Sequence, residues 1–198
     1  MSFTIKDGAG TGNVAKVDSN NRLHAESVSQ AINEKATEDG DSYNINTGLI
    51  TLTSANESAC LYFKNNEEQD FHVNTIVVFF GASTSGTGEG TWRVKRNPTA
   101  GTIVSGATNV DINSNRNFGS SKTLQDSLAY KGAEANTMTD GTDHILIGQF
   151  ASSRVAASID EFIPKGSSLG VDITPPTSNT SMDVYVALIG YLVDPANE

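Results

Sequence analysis

Gly166-Ser167-Ser168-Leu169-Gly170 has the spacing G-x-S-x-G. In a nucleophile elbow that spacing sits on a sharp strand-to-helix turn, and a histidine base comes later in the chain. Here residues 171–174 alternate as a strand and run into Pro175-Pro176, and no histidine follows His144. The motif therefore reads as a turn. Asp140-Gly141-Thr142-Asp143-His144 places two carboxylates and an imidazole within five residues. Calcium needs more oxygen ligands than this run supplies, and zinc needs further His or Cys. Its Asp and Gly content predicts a turn entering a strand. His24, His72 and Cys60 form no Cys/His nucleophile pair at recognisable spacing, and Cys60 is expected to be a small core residue. The triplets Gly8/Gly10/Gly12 and Gly86/Gly88/Gly90 lack both G-x-G-x-x-G spacing and a strand–helix context, so they read as flexible linkers. Trp92 and the loop residue Phe118 could stack on a sugar, although a lone Trp in a strand usually belongs to the core. These residues support no enzyme, no metal site and no cofactor.

The elements that would position such side chains are mostly strands. One helix is predicted over residues 28–37, where Val28, Ala31, Ile32, Lys35 and Ala36 follow helical spacing. Ser27 with Gln30 would form its capping box, and Asp39-Gly40 its stop. From Tyr43 onward the period becomes two. Strands are expected at 49–53, 59–63, 73–80, 91–96, 102–104, 109–112, 124–130, 145–150, 158–163, 168–174 and 182–192. Residues 73–80 form the most apolar run, as befits a buried central strand. Residues 81–90 and 113–122 read as polar loops, the second carrying Arg116 and Phe118. No period of 20–50 residues repeats, which excludes propellers and solenoids. The expected fold is all-β, a jelly-roll-like β-sandwich with an extended N-terminal arm and one short helix.

Composition narrows the partners. The 198 residues carry a net charge of −10, with 13 Lys and Arg, too few and too scattered for a phosphate backbone. A nucleic-acid partner is not expected. Nor is a membrane partner: no apolar run approaches the roughly eighteen residues of a spanning helix, and no signal-peptide pattern opens the chain. A single cysteine excludes a disulfide framework.

The domain boundaries follow from these patterns: residues 1–27 an anchoring arm, 28–40 the helix and linker, 41–198 the sandwich body. The arm carries two short apolar pulses, Phe3/Ile5 and Val14/Ala15/Val17, separated by glycines. The polar break Asp18-Ser19-Asn20-Asn21 then precedes Arg22-Leu23. That reads as short extended segments or a hairpin, too small to be stable alone. Three cations, Lys6, Lys16 and Arg22, against Asp7 and Asp18 leave residues 1–25 at +1 on an otherwise acidic chain. Phe3, Ile5, Lys6, Val14, Lys16, Val17, Arg22 and Leu23 are therefore the candidate partner-binding residues. Trp92, Arg116 and Phe118 are candidates for subunit or receptor contacts.

The arm sequence IKDGAGTGNVAKVDSNNRLHAESVS resembles an N-terminal segment that recurs in structural proteins of tailed bacteriophages. DSYNINTGLITLTSANESACLYFKNNEEQDF, NPTAGTIVSG, NSNRNFGSSKTL, YKGAE and IPKGSSLGVDITPPTSNTSM are similar to virion proteins carrying that segment. The resemblance covers nearly the whole chain. It implies a virion structural protein of head decoration (cement) type, trimeric, made in the bacterial cytoplasm and bound to the capsid surface. Its partners would be the major capsid protein or other virion proteins. The alternative it implies is the base or adhesion module of a head, neck or tail fibre that binds host glycan.

Overall fold

The computed structural model describes residues 31–112 and 114–193, and the backbone of 16–17 and 23–24. It divides the chain into two units, Met1–Ala31 and Ile32–Glu198. In the first, β1 (Lys16–Val17) and β2 (Leu23–His24) pair antiparallel, Lys16 opposite His24 and Val17 opposite Leu23. Of the arm residues singled out above, Phe3, Ile5, Lys6, Val14 and Arg22 lie outside the described residues.

The second unit opens with α1 (Ile32–Asp39). Among the described residues the helix starts at Ile32 rather than at 28, while Ser27 and Gln30 fall outside them. Its end matches the expected stop. Gly40 takes φ +79°, a value glycine adopts without strain. The Gly40 N–H donates to Thr37 O at 3.2 Å and the Asp41 N–H to Ala36 O at 2.7 Å, a Schellman closure.

Eleven strands and a second helix follow. They are β3 (Ser42–Asn46), β4 (Ile50–Leu52), β5 (Ser58–Lys64), β6 (Asp70–Phe80), β7 (Glu89–Arg96), α2 (Thr102–Gly106), β8 (Thr108–Asn109), β9 (Leu128–Lys131), β10 (Thr142–Phe150), β11 (Ser153–Ile163), β12 (Ser168–Thr174) and β13 (Met182–Val193). All pairings are antiparallel. A six-stranded sheet runs β10-β7-β12-β5-β9-β8; a five-stranded sheet runs β11-β6-β13-β3, with β4 also on β13. The protein is an all-β sandwich. Its core interleaves Phe63, Trp92, Val94 and Val171 of the first sheet with Phe71, Ile76, Phe80, Val184 and Leu188 of the second.

Several elements depart from expectation: β3 is not among the expected strands, the strand expected at 109–112 is only the two-residue β8, and three further differences have visible causes. Residues 102–104 form α2, not a strand: only Ile103 of that run is buried, so its β-branched residues pack a helix turn. β9 is shorter than 124–130 because Gln125, Asp126 and Ser127 each donate a backbone N–H to Glu67 Oε1, at 2.9, 2.9 and 3.0 Å, forming a turn instead of a ladder. β11 begins five residues earlier than expected, through the small residues Ala156 and Ala157 that carry little apolar signal.

Candidate assembly surfaces

The chemistry-bearing motifs are placed apart or tied down. Gly166 (φ +81°) closes a turn in which the Ser167 N–H donates to Pro164 O at 2.9 Å, and Ser168 opens β12. Ser168 Oγ is buried and donates to Pro98 O at 2.9 Å. His144 reaches the same cleft, whose volume is about 90 Å³. The histidine instead contacts Glu161 Oε1 through Nε2 at 2.8 Å, fastening β10 to β11 across the mouth of the sandwich. The serine stands on a strand, with no helix behind it to supply an oxyanion hole.

Asp140 binds Thr99 and Ala100: both N–H groups donate to Oδ1 at 2.8 Å, and Thr99 Oγ1 to Oδ2 at 2.5 Å. These bonds hold its carboxyl below the usual range. Asp143 pairs with Arg93 at 3.1 Å. The run from Asp140 to His144 thus sends its three ionisable groups to three separate partners. Among the described residues no group of three His, Cys, Asp or Glu could hold a metal. Cys60 lies in the core, where burial pushes its thiol up.

One ionisable pair was not foreseen. Asp172 projects from the outer side of β12 yet is only 2% exposed, and Lys95 Nζ lies 3.4 Å from its Oδ2. Burial raises the Asp172 carboxyl to about 6 against the opposing pull of Lys95. Lys95 also donates to Met138 O at 3.0 Å. The pair is buried because the chain covers this face itself. Ile103 of α2 and Met138 close a second small core with Ala59 and Tyr62 on the outer side of the six-stranded sheet. Gly132 permits that approach, since a Cβ there would meet Ala59 O at 1.8 Å.

On the five-stranded sheet α1 packs against β3 and β13, and among the described residues no second apolar core of that kind forms over its outer side. On its outer side Phe79 of β6 and Tyr185 of β13 stack at 5.0 Å and are both half-buried. Phe162 of β11, 46% exposed, stacks on His72 at 4.4 Å, and the ring of Tyr191 meets His72 edge-on at 4.7 Å. Val77 and Ile189 continue the apolar strip. Sheet faces turned only to water usually carry polar residues in this register.

The loop over 113–122 has a structural role at the base of α1. Its backbone pairs with β3, with Ser114 O accepting from the Asn44 N–H at 2.9 Å and the Arg116 N–H donating to Ser42 O at 2.8 Å. Asn115 Nδ2 donates to Gly40 O at 2.6 Å, and Lys122 Nζ to Asp41 at 2.9 Å. Arg116 remains exposed beside Ser42 Oγ, 3.4 Å away, and Phe118 at the tip is fully exposed. Trp92 corrects its assignment as a subunit or receptor contact: it is 1% exposed, because it sits on the inward side of β7 within the core. The loop over 81–90 is not a free linker either; Thr84 and Thr87 donate N–H bonds to Ser181 O at 2.8 Å and Thr177 O at 3.0 Å. Of the arm candidates, Lys16, Val17 and Leu23 lie in the β1–β2 ladder.

No protein-family model and no curated protein sequence matches the chain. No helix of the described residues is long and apolar enough to cross a membrane.

Proposed function

We propose that this chain is a structural component of a tailed-phage particle, a decoration protein that residues 1–27 anchor to the shell. The observation that carries the reading is the aromatic outer side of the five-stranded sheet, apolar where solvent alone would favour polar residues. A self-contained sandwich presenting such a strip is suited to lie against another protein. The arm's alternating apolar residues are suited to add a strand to a neighbour, with backbone hydrogen bonds giving affinity and side chains filling pockets. Several arms in one oligomer add avidity without new contacts. The work is mechanical: the body braces adjacent shell subunits. The resemblance implies a trimer.

The test is to mix protein lacking residues 1–27 with undecorated heads. The reading expects a folded body that no longer binds them. Full decoration by the truncated protein would refute arm anchoring. Binding of the truncated body to host cells or glycans would favour the adhesion alternative.

A further inference from the structure

The core of the sandwich is not closed between its edge strands β10 and β11, where the inward-facing Ile145, Ile147, Val155 and Ile159 are only partly buried. At one end of this side the two sheets part to leave the cleft of about 90 Å³ that His144 reaches. A bulge stands on each side of it. In β10 the register skips His144, and in β11 it skips Ile159 and Asp160. Bulges bend an edge and re-aim its side chains. Asp160, at φ +52°, sends its carboxylate to the outer side of the sheet, 2.8 Å from His72 Nε2. Glu161, opposite the core residue Val73, turns inward instead.

The floor of the cleft is apolar, made by Val94, Ile159, Ile163 and Leu169. Its rim is not. Trp92, Val94 and Arg96 alternate along β7, so Arg96 takes the inward register opposite Leu169, and at the strand's end it is exposed. Glu161 is already engaged by His144 at 2.8 Å. The Arg96 guanidinium makes no ion pair or hydrogen bond among the described residues, and neither does the Ser167 hydroxyl that lines the same cleft. The walls are held in place by the chain itself. The Asn97 N–H donates to Ser168 O at 2.8 Å, the Ser168 N–H to Asn97 Oδ1 at 3.0 Å, and Ser168 Oγ to Pro98 O at 2.9 Å. A pocket fixed in advance loses little ordering entropy when it is filled.

We infer that this cleft is a binding site for a small organic acid, its carboxylate on Arg96 and its short hydrocarbon body against Val94 and Leu169. Charge decides the sign of the ligand. The one carboxylate at the rim has a partner, whereas the cation has none, and a guanidinium fork matches a carboxylate through two parallel hydrogen bonds. Size decides the class. An apolar cavity of about 150 Å³ takes a benzene molecule, so a cleft of about 90 Å³ suits a chain of roughly four carbons with its head group at the open rim. Ser167 Oγ can donate a further bond to the same carboxylate. The site stands on the cleft alone and does not depend on the assignment to a phage.

Butyrate is the probe. Titrated into the full-length protein at constant ionic strength, it is expected to shift the backbone amide NMR signals of Val94, Lys95, Arg96, His144, Ser167 and Leu169, with a Kd of about 1 mM, modest for so small a ligand. Butanol, the same chain without the charge, should bind about tenfold more weakly. Arg96→Gln should weaken butyrate about tenfold and leave butanol unchanged; the side chain is exposed, so the variant is expected to fold. Arg96→Lys, which keeps the charge and loses the fork, should fall between the two. Absence of localised shifts overturns the proposal, as do shifts that sodium chloride reproduces or a butyrate affinity that Arg96→Gln leaves unchanged.

Discussion

The two outer faces of the sandwich have been finished in opposite ways. On the six-stranded sheet the chain lays α2 and Met138 over its own strands, deeply enough to bury the Asp172 carboxylate beside Lys95. On the five-stranded sheet Phe79, Tyr185 and Phe162 are left half in water. The first face can tolerate a buried charge because its cover is covalently present and always in place. On the second, no such cover lies over Phe79 and Tyr185 among the described residues. The edges repeat the contrast: β3 is covered from within, while β11 has no second strand neighbour among the described residues.

The covered face should be costly to disturb. Lys95→Met leaves the Asp172 carboxylate buried without its counter-charge, and a loss of about 3–5 kcal/mol is expected in denaturant unfolding at pH 7. The loss should shrink at pH 5, where the carboxyl takes up a proton. Ile103→Ala, which opens a cavity under α2, should cost about 2–5 kcal/mol.

Asp172 also sets a pH dependence. Its folded value, about 6, lies above the ordinary 3.8, so the folded state holds a proton that the unfolded state has released. The contribution is fully present below about pH 4 and disappears as pH rises through 6, with a span of about 3 kcal/mol at most. Subtracting the stability curve of Asp172→Asn from that of the native protein should isolate this falling limb. A rising limb over the same interval would contradict the burial account.

The open face should respond differently. Phe79→Ser or Tyr185→Ser removes one partner of an exposed-side stack and should cost only about 1–2 kcal/mol of folding stability, while binding to particles should fall much further. Phe118→Ser should change stability by less than about 0.5 kcal/mol, since the ring touches little. If Phe79→Ser destabilised the body as much as Ile103→Ala, the distinction between the two faces would collapse.

Much of the sandwich was readable because its long strands announce themselves. β6 and β13 carry branched and aromatic residues in runs that suit no other element, and Gly40 marks the helix stop by its chemistry. The cover over the six-stranded sheet was not readable. Ile103 and Met138 are isolated apolar residues in polar surroundings, and nothing in their spacing says that they meet across α2 and β5. The Asp172–Lys95 pair was hidden for the same reason: each alternates correctly with apolar neighbours as if facing water. Trp92 was offered for two roles, and only its position on the inward side of β7 separates them. The first half of β11 was obscured by Ala156 and Ala157, residues too small to register as a strand, and its place at the rim shows only in the sheet order.

Hydroxyl-radical footprinting of the free and particle-bound protein tests the central claim most directly. The account predicts that Phe79, Tyr185 and Phe162 become protected on binding while Tyr130 and Met138, at the covered face, react as before. Unchanged reactivity at Phe79 and Tyr185 with new protection over α2 would contradict it.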